Sequence, residues 1–311
     1  MIVRWGIEEL PALAGERPFV VASPRWREVL DAADRWEEVP SHRIEVPVGV
    51  DTIVAIGGGS AIDTGKAASA ASGLPLVSVP TTYSGAEWTS FFGVRDPGRR
   101  MRGGGAGAKL HAIVYEPELT LALPIPETVG TALNALAHCA EALYVRERTP
   151  QTDRDALAGA RLIGEWLPQV VERPRDLDAR EQLLRGACHA GAALGGSMLA
   201  LGHALAQALG GRYGLPHGAL NALTLPAALR FNAEAAPDAL ARFGEALGAS
   251  DPSARVQELA RLGGFERLRD LGVPEDELLE VAEAVVERPG ARSNPRRATA
   301  AEIERILRGI W

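Results

Sequence analysis

The first third of the chain alternates short apolar runs, rich in β-branched residues, with segments in which apolar residues recur at helical spacing. This alternation predicts strands separated by helices, which is typical of a parallel α/β sheet. The predicted strands are the segments 18–23, 42–46, 52–56, 74–80 and 112–116. The predicted helices between them are "PRWREVLDAADRW" (24–36) and "SAIDTGKAASAAS" (60–72).

After about Pro124 the strand signals stop, and apolar residues recur at helical intervals to the end of the chain. The pattern therefore predicts two domains: a Rossmann-like nucleotide-binding α/β domain over 1–123, and an all-helical domain over 124–311. Within the first domain, "RRMRGGGAGAK" (99–109) is predicted to be a flexible loop because it is basic and rich in glycine.

Charge and composition narrow the partners. The net charge is −7 and charged residues make up 23% of the chain, without the clustered Lys and Arg that nucleic acid or an anionic membrane requires. The two cysteines, Cys139 and Cys188, lie in apolar helical pattern and are expected to be buried and reduced, which fits the cytoplasm. The N-terminus shows no secretory pattern. The uncharged stretch 186–209 carries two His and a Gln, so it is predicted to be a central packed helix rather than a membrane span.

A strand, three glycines and a helix follow one another in "TIVAIGGGSAIDTGK". Glycines let a phosphate approach the backbone, and the free N–H groups at a helix N-terminus attract its charge, so residues 57–60, hereafter the glycine turn, are predicted to bind the cofactor's phosphates. The alternative is purely structural: Ser60 caps the helix with help from Asp63. Both can hold together.

A second segment, "VPTTYSGAEWT" (79–89), hereafter the polar turn, follows the next strand and should meet the glycine turn at the carboxyl edge of the sheet. The strand ending at Ser23 has no acidic residue to bond a ribose, and Arg25 and Arg27 follow it, so NADPH remains open beside NADH. The predicted cofactor-binding residues are Gly57, Gly58, Gly59, Ser60, Asp63, Thr81, Thr82, Ser84, Ser23 and Arg100.

Together, "GGGSAIDTGK", "PTTYSGAE", "NALAHCAEALY" and "GHALAQALGGRYGLPHG" resemble the iron-containing alcohol dehydrogenase family. "YEPELTLALP", "LPAALRFN" and "NPRR" are similar to its maleylacetate reductase branch. The resemblance implies a dehydroquinate synthase-like fold, NAD or NADP bound between the two domains together with a small anionic substrate, and a homodimer.

In the metal-dependent members of that family an Asp and three His hold the ion, and the matching positions here are Asn134, His138, His203 and His217. The resemblance therefore implies a reductase that needs no Fe or Zn, because the only anionic ligand is absent. The alternative keeps a metal on the three histidines, as three-His catalytic zinc sites do. The catalytic candidates are His203, His217, His138, Asn134, Gln207 and Tyr83.

Several positions depart from the family pattern. Gln207 stands where the relatives have a titratable His, and Gly202 and Ala204 replace polar neighbours of His203. A cation for a substrate carboxylate would have to come from Arg100, Arg102, Lys109 or Arg212. Only five residues join the predicted strands 42–46 and 52–56, too few for a parallel crossover, so either 42–46 is not a neighbouring strand or the domain is trimmed. His42, His111 and His189 match no family site and are predicted to be structural or surface residues.

Three functions remain open at this point. The first is a metal-independent, NAD(P)H-dependent oxidoreductase that converts maleylacetate to 3-oxoadipate in aromatic-compound degradation. The second is a metal-dependent alcohol dehydrogenase that reduces an aldehyde or ketone. The third is a diverged paralogue that binds nucleotide without redox turnover, in a biosynthetic pathway.

Overall fold

The structure, a computed structural model, describes residues 1–98 and 100–311. The chain divides into two compact units, Met1–Ala122 and Leu123–Trp311. The first unit has strands and helices, whereas the second is built from helices.

Unit 1 contains a parallel sheet, a two-stranded hairpin and short helices. Its strands are β1 (Ile2–Trp5), β2 (Pro18–Ala22), β3 (Asp34–Trp36), β4 (Thr52–Gly57), β5 (Pro75–Pro80), β6 (Phe92–Arg95), β7 (Met101–Gly105) and β8 (Lys109–Tyr115). Its α-helices are α1 (Leu10–Leu13) and α2 (Gly59–Ser72), and 3₁₀ turns occupy Ile7–Glu9, Pro24–Val29, Ala86–Trp88 and Pro117–Thr120.

The main sheet has six strands in the order β1-β8-β5-β4-β2-β3, and every neighbouring pair is parallel. Strand β4 is buried along its whole length, as expected for a central strand covered on both faces. Alternate residues point to opposite faces, so Val54 packs in one core cluster and Ile53 in the other. Helix α2 lies close to β4, and glycine at position 65 permits this approach. A Cβ on Gly65 would come within 2.7 Å of the Ala55 Cβ.

The predicted strand at 42–46 is wrong, because this segment is irregular. Its apolar side chains, Ile44 and Val46, still pack against the core, which explains the misleading pattern. The edge strand beside β2 is β3, although its residues are predicted to belong to a helix over 24–36; only a 3₁₀ turn forms at the start of that segment. Residues 37–51 then provide the long crossover that a parallel strand requires.

The glycine-rich segment 99–109 was predicted to be a loop, but part of it forms β7, which pairs antiparallel with β6. Arg99 lies outside the described residues. Asp96 closes the hairpin: its carboxylate accepts the backbone N–H of Arg100 at 2.9 Å and Nε of Arg102 at 2.8 Å. These bonds lower the pKa of Asp96, the backbone bond most of all. Local side-chain bonds thus order a segment whose composition indicates flexibility.

Unit 2 is helical throughout its regular structure. Its α-helices are α3 (Ile125–Ala142), α4 (Pro150–Glu172), α5 (Leu177–Gly195), α6 (Leu201–Tyr213), α7 (His217–Asn232), α8 (Pro237–Ala246), α9 (Pro252–Arg261), α10 (Leu278–Val286), α11 (Pro289–Ser293) and α12 (Ala300–Gly309), with a 3₁₀ turn at Leu268–Leu271.

The apolar stretch 186–209 is two helices, not the single helix that was predicted. Helix α5 ends at Gly195 and α6 begins at Leu201. Small residues let α4 and α5 approach closely, since a Cβ on Gly186 would come within 2.9 Å of the Ile163 Cγ1. In the described part of the chain no helix is long and apolar enough to cross a membrane.

Candidate active site

The glycine turn joins β4 to α2. Gly57 has a φ of +148°, a region that favours glycine, and Gly58 is the N-cap residue of α2. No side chain caps this helix, so the interpretation that Ser60 is the cap is wrong; Ser60 is already helical and exposed. The first backbone N–H groups of a helix have no intrahelical acceptor. The N–H groups of Ala61 and Ile62 donate to the carbonyl of Gly58 at 3.0 and 3.1 Å, so Gly59 and Ser60 carry the N–H groups that the phosphate prediction requires.

The polar turn lies directly beside the glycine turn, as the sequence predicts. Gly57 and Pro80 are register partners at the ends of β4 and β5, and the N–H of Thr81 donates to the carbonyl of Gly57 at 3.0 Å. A Cβ on Gly58 would come within 2.9 Å of the Thr82 Cγ2. The hydroxyl of Thr82 lies 3.3 Å from that of Ser84. Small and hydroxylated residues thus surround the N-terminus of α2.

Asp63 does not act as a helix cap. Its Oδ1 lies 3.1 Å from Nζ of Lys66, and its Oδ2 accepts the N–H of Gly93 in β6 at 3.2 Å. Lys66, which sequence reasoning missed, is buried and also donates to Thr89 Oγ1 and to the carbonyl of Phe91, each at 3.0 Å. This pair ties the hairpin to α2, and a direct role of Asp63 in binding a cofactor stays a prediction.

Other predicted residues of unit 1 lie farther along its surface or within its core. Tyr83 is fully buried, and its hydroxyl donates to Thr120 Oγ1 at 3.2 Å. Ser23 is half-buried at the end of β2 and precedes a 3₁₀ turn. Arg25 is exposed and lies over the ring of its neighbour Trp26. The roles predicted for Tyr83, Ser23 and Arg100 stay predictions.

Unit 2 brings the four candidate side chains together from three helices. Asn134 and His138 lie one turn apart on α3, His203 lies in the first turn of α6, and His217 begins α7. The His138 and His203 rings are stacked, with centroids 4.7 Å apart and planes 13° apart. The His203 and His217 ring centroids are 5.7 Å apart. Sequence separations of up to 83 residues thus close into one cluster.

Asn221, which sequence reasoning missed, connects this cluster. Its Nδ2 donates to Asn134 Oδ1 at 2.8 Å and lies 3.0 Å from Nε2 of His217. Asn134 Oδ1 in turn lies 3.3 Å from Nε2 of His203. Asn221 follows His217 by four residues on α7, and this i, i+4 spacing was the available signal.

Glu141 is the second missed residue, and its side chain is completely buried. Its Oε2 lies 2.7 Å from Nδ1 of His203 and accepts the N–H of Ala200 at 2.6 Å. Its Oε1 accepts the N–H of His203 at 3.1 Å. The signal was the stretch "HCAE", which places Glu141 three residues after His138.

His138 is 5% exposed, and its Nδ1 is buried without a hydrogen-bond partner. Burial holds the pKa of His138 well below its ordinary value, and the neighbouring rings of His203 and His217 lower it further. His138 is therefore an uncharged ring stacked on His203. It can pack, accept or donate a hydrogen bond, but it does not carry positive charge near neutral pH.

Several candidate cations are already engaged. Arg212 pairs with Glu277, which directly precedes α10, at 2.7 Å and with Glu280, which lies on α10, at 2.6 Å. Arg102 pairs with Asp96. Gln207 lies half-buried on α6, one turn after His203. Four cations are candidates for binding a substrate carboxylate. Because Arg212 and Arg102 already bind carboxylates of this chain, Arg100 and Lys109 are the better candidates, and this role stays a prediction.

The remaining histidines lie outside this cluster. His189 has its Nδ1 2.9 Å from Asp155 Oδ1, His42 lies 3.2 Å from Nε of Arg43, and His111 is exposed on β8. Across residues 1–98 and 100–311, no group of three or more His, Cys, Asp or Glu side chains is placed to hold a metal ion.

The chain has a parallel α/β unit with a glycine turn at a helix N-terminus, and then a helical unit with a buried imidazole cluster. This arrangement is typical of a class of nucleotide-dependent enzymes, and the comparisons with known proteins agree with it. The profile of the iron-containing alcohol dehydrogenases matches residues 19–114, and that of the C-terminal region of the Fe-containing alcohol dehydrogenase family matches 128–311. The chain belongs to the iron-containing alcohol dehydrogenase family, and it is an NAD(P)-dependent oxidoreductase.

Its relatives include maleylacetate reductases. The chain is 41% identical to the maleylacetate reductase of Burkholderia cepacia over 80% of this chain and 71% of the relative. It is 34% identical to that of Delftia acidovorans over 98% of this chain and 92% of the relative. The crystal structure of maleylacetate reductase from Agrobacterium tumefaciens superposes with a TM-score of 0.87 at 30% identity, covering 100% of this chain and 95% of that one.

Proposed function

We propose that this protein is a maleylacetate reductase, which reduces the carbon–carbon double bond of maleylacetate to give 3-oxoadipate in the breakdown of aromatic compounds. The observation that carries the proposal is the 41% identity to a maleylacetate reductase over 80% of the chain. The buried, hydrogen-bonded cluster in unit 2 supports it, because a site that works without a Lewis acid needs positioned hydrogen-bond donors.

Unit 1 would hold the dinucleotide. The glycine turn offers the backbone N–H groups of Gly59 and Ser60 at the start of α2 and a surface that a Cβ on Gly58 would disturb, and the hydroxyls of Thr82 and Ser84 lie beside it. When bound, NAD(P)H supplies the hydride for the reduction, and a site donor or water supplies the proton. Arg27 is paired with Glu37 rather than held for a 2′-phosphate, but Arg25 is exposed, so the proposal leaves NADH and NADPH open.

Metal independence is part of the proposal. The family name implies iron, but Asn134 supplies a neutral amide where a carboxylate would attract a hard cation. The polar atoms of the set also bond to one another: Asn221 occupies both Asn134 Oδ1 and Nε2 of His217. The one buried carboxylate nearby, Glu141, is bonded to the opposite ring nitrogen of His203 and to backbone N–H groups. This donor set does not fit a divalent ion.

In the proposed reaction the side chains of unit 2 bind and orient the substrate. His203 and His217 would donate hydrogen bonds to the oxygen atoms of a small oxo-acid, with Asn134 holding His203 in place. His138 would act as an uncharged ring that packs under His203. Gln207 would contact substrate without moving a proton, because an amide does not titrate.

The finer features of location and assembly are also proposals. We propose that the enzyme is a homodimer, which is supported by the family resemblance. We also propose that it lies in the cytoplasm, which is supported by two free cysteines, Cys139 and Cys188. Sedimentation equilibrium of the purified protein tests the assembly.

The main experiment measures oxidation of NADH and NADPH with maleylacetate and with a panel of short oxo-acids and aldehydes, with and without a chelator. Chelator-resistant turnover that is highest with maleylacetate is expected. Activity that requires added iron or zinc would instead identify a metal-dependent dehydrogenase on the three histidines. NADH binding without consumption of any substrate would identify a binding protein.

A further inference from the structure

The position of Glu141 gives one side chain two tasks. A single carboxylate accepts the backbone N–H groups of Ala200 and His203 at the start of α6 and also binds the His203 ring. A negative charge at a helix N-terminus is stabilising, and the contact fixes both the main chain and the ring of His203. Since a carboxylate oxygen accepts, Nδ1 of His203 is the ring atom that carries the hydrogen toward Glu141.

The hydrogen-bond directions on the other side of His203 follow from an atom that can only accept. The main-chain carbonyl of His217 lies 3.2 Å from Nδ2 of Asn221, which must therefore be the amide nitrogen. The Asn134 atom 2.8 Å from that nitrogen is then the oxygen, Oδ1. This oxygen faces Nε2 of His203. An amide oxygen accepts, so Nε2 carries a hydrogen as well, and the ring is held by donating at Nδ1 to Glu141 and at Nε2 to Asn134.

We propose that Glu141 is a positioning residue for the reduction: by occupying Nδ1 of His203 it leaves Nε2 as the ring nitrogen that faces Asn134 and meets the substrate. This inference rests on the proposed function, in which His203 binds substrate. A ring without this anchor can rotate and present either nitrogen, so the fraction of molecules with the productive geometry falls.

The first test is Glu141→Gln, which keeps the shape but removes the charge. Its kcat should fall about 10–100-fold, by analogy with the loss seen when the partner that orients a metal-bound histidine is replaced. The Kd for NADH, measured by fluorescence titration, should stay within about twofold. In a His203→Ala background the same substitution should cost little more, because Glu141 acts through His203. Fully additive losses would overturn the proposal.

The second test needs no substrate, so it separates failure of this inference from failure of the proposed function. In protein labelled with ¹⁵N-histidine, the NMR signals of His203 should report a hydrogen on Nδ1 in the wild type and an altered ring-nitrogen pattern in Glu141→Gln. Unchanged ring signals in the variant would contradict the positioning role whatever the true substrate is.

A matched control loosens the same end of α6 without touching the ring. Asn294 lies 3.4 Å from the N–H of Leu201 and exchanges two hydrogen bonds with Asn232. Asn294→Ala should lower the melting temperature but leave kcat and the His203 signals near wild type. Glu141→Asp keeps the charge and can be used if Glu141→Gln does not fold. It should retain more activity than Glu141→Gln, and equal or lower activity would count against the proposal.

Discussion

The N–H of Thr81 donates to the carbonyl of Gly57 at 3.0 Å, which joins the ends of β4 and β5 and holds the polar turn against the glycine turn. The two turns therefore form one surface around the N-terminus of α2. A change in either should be felt by a ligand bound at both.

Gly58→Val should raise the Kd for NADH at least about tenfold, because a side chain would cover the N–H groups that a phosphate needs. Gly58 has a φ of −78°, which other residues adopt, so the fold should survive. The added Cβ would, however, meet the Thr82 Cγ2. Gly58→Ala with Thr82→Ser removes that collision, and NADH titration of this double variant separates loss of packing from loss of the phosphate site. Wild-type affinity in both variants would refute a phosphate site here.

Asn134→Asp should create affinity for zinc or iron, because it adds the anionic oxygen that the cluster lacks. Metal content by elemental analysis should rise from far below one ion per chain in the wild type toward one in the variant. Asn134→Ser, which adds no charge, is the matched control and should stay metal-free. A wild-type protein that already carries one ion per chain would contradict metal independence.

His138 should make the protein less stable at acidic pH. Its pKa is held below the ordinary value of 6.5 in the folded state, so below that pH the unfolded chain binds a proton that the folded chain does not. The free energy of unfolding should therefore fall as the pH drops through this range, by up to about 1.4 kcal/mol per pH unit from this residue. His138→Leu should flatten the decline, measured by urea unfolding between about pH 8 and about pH 5. His111→Asn, at an exposed position, should leave it unchanged.

Gln207→His should raise the reductase kcat if this enzyme still catalyses the same reaction as its relatives. An imidazole at this position can move a proton, and an amide cannot. Gln207→Asn retains the amide and serves as the control. Steady-state rates with maleylacetate compare the two variants. An unchanged kcat in Gln207→His would indicate that this enzyme has a different substrate or a different proton donor.

The sequence predicts the parts of the fold in which one pattern has one interpretation. The apolar run before the glycines gives β4, and the spacing after them gives α2. The pattern at 42–46 misleads because Ile44 and Val46 are buried without being paired in the sheet. Strand β3 is not predicted from the sequence because it has only three residues, too few to show a periodic pattern.

The site divides in the same way. The histidines and Asn134 follow from their motifs. Glu141 and Asn221 instead act through contacts with residues of other helices, 62 and 87 positions away in sequence. Helical spacing gives the face of a helix on which a residue lies but not the helix that this face meets. A charged residue in a run as apolar as "NALAHCAEALY" was the available clue, since a carboxylate is rarely buried without partners.

The burial of Lys66 has a practical consequence for chemical labelling. Lysine occurs at only two positions in the chain, 66 and 109. Lys109 is exposed on β8, whereas Lys66 is 1% exposed and held by Asp63 and Thr89. An amine-reactive dye should therefore attach to a single lysine of the native protein besides the α-amino group of Met1, and acylation at position 66 would report that the hairpin has come away from α2.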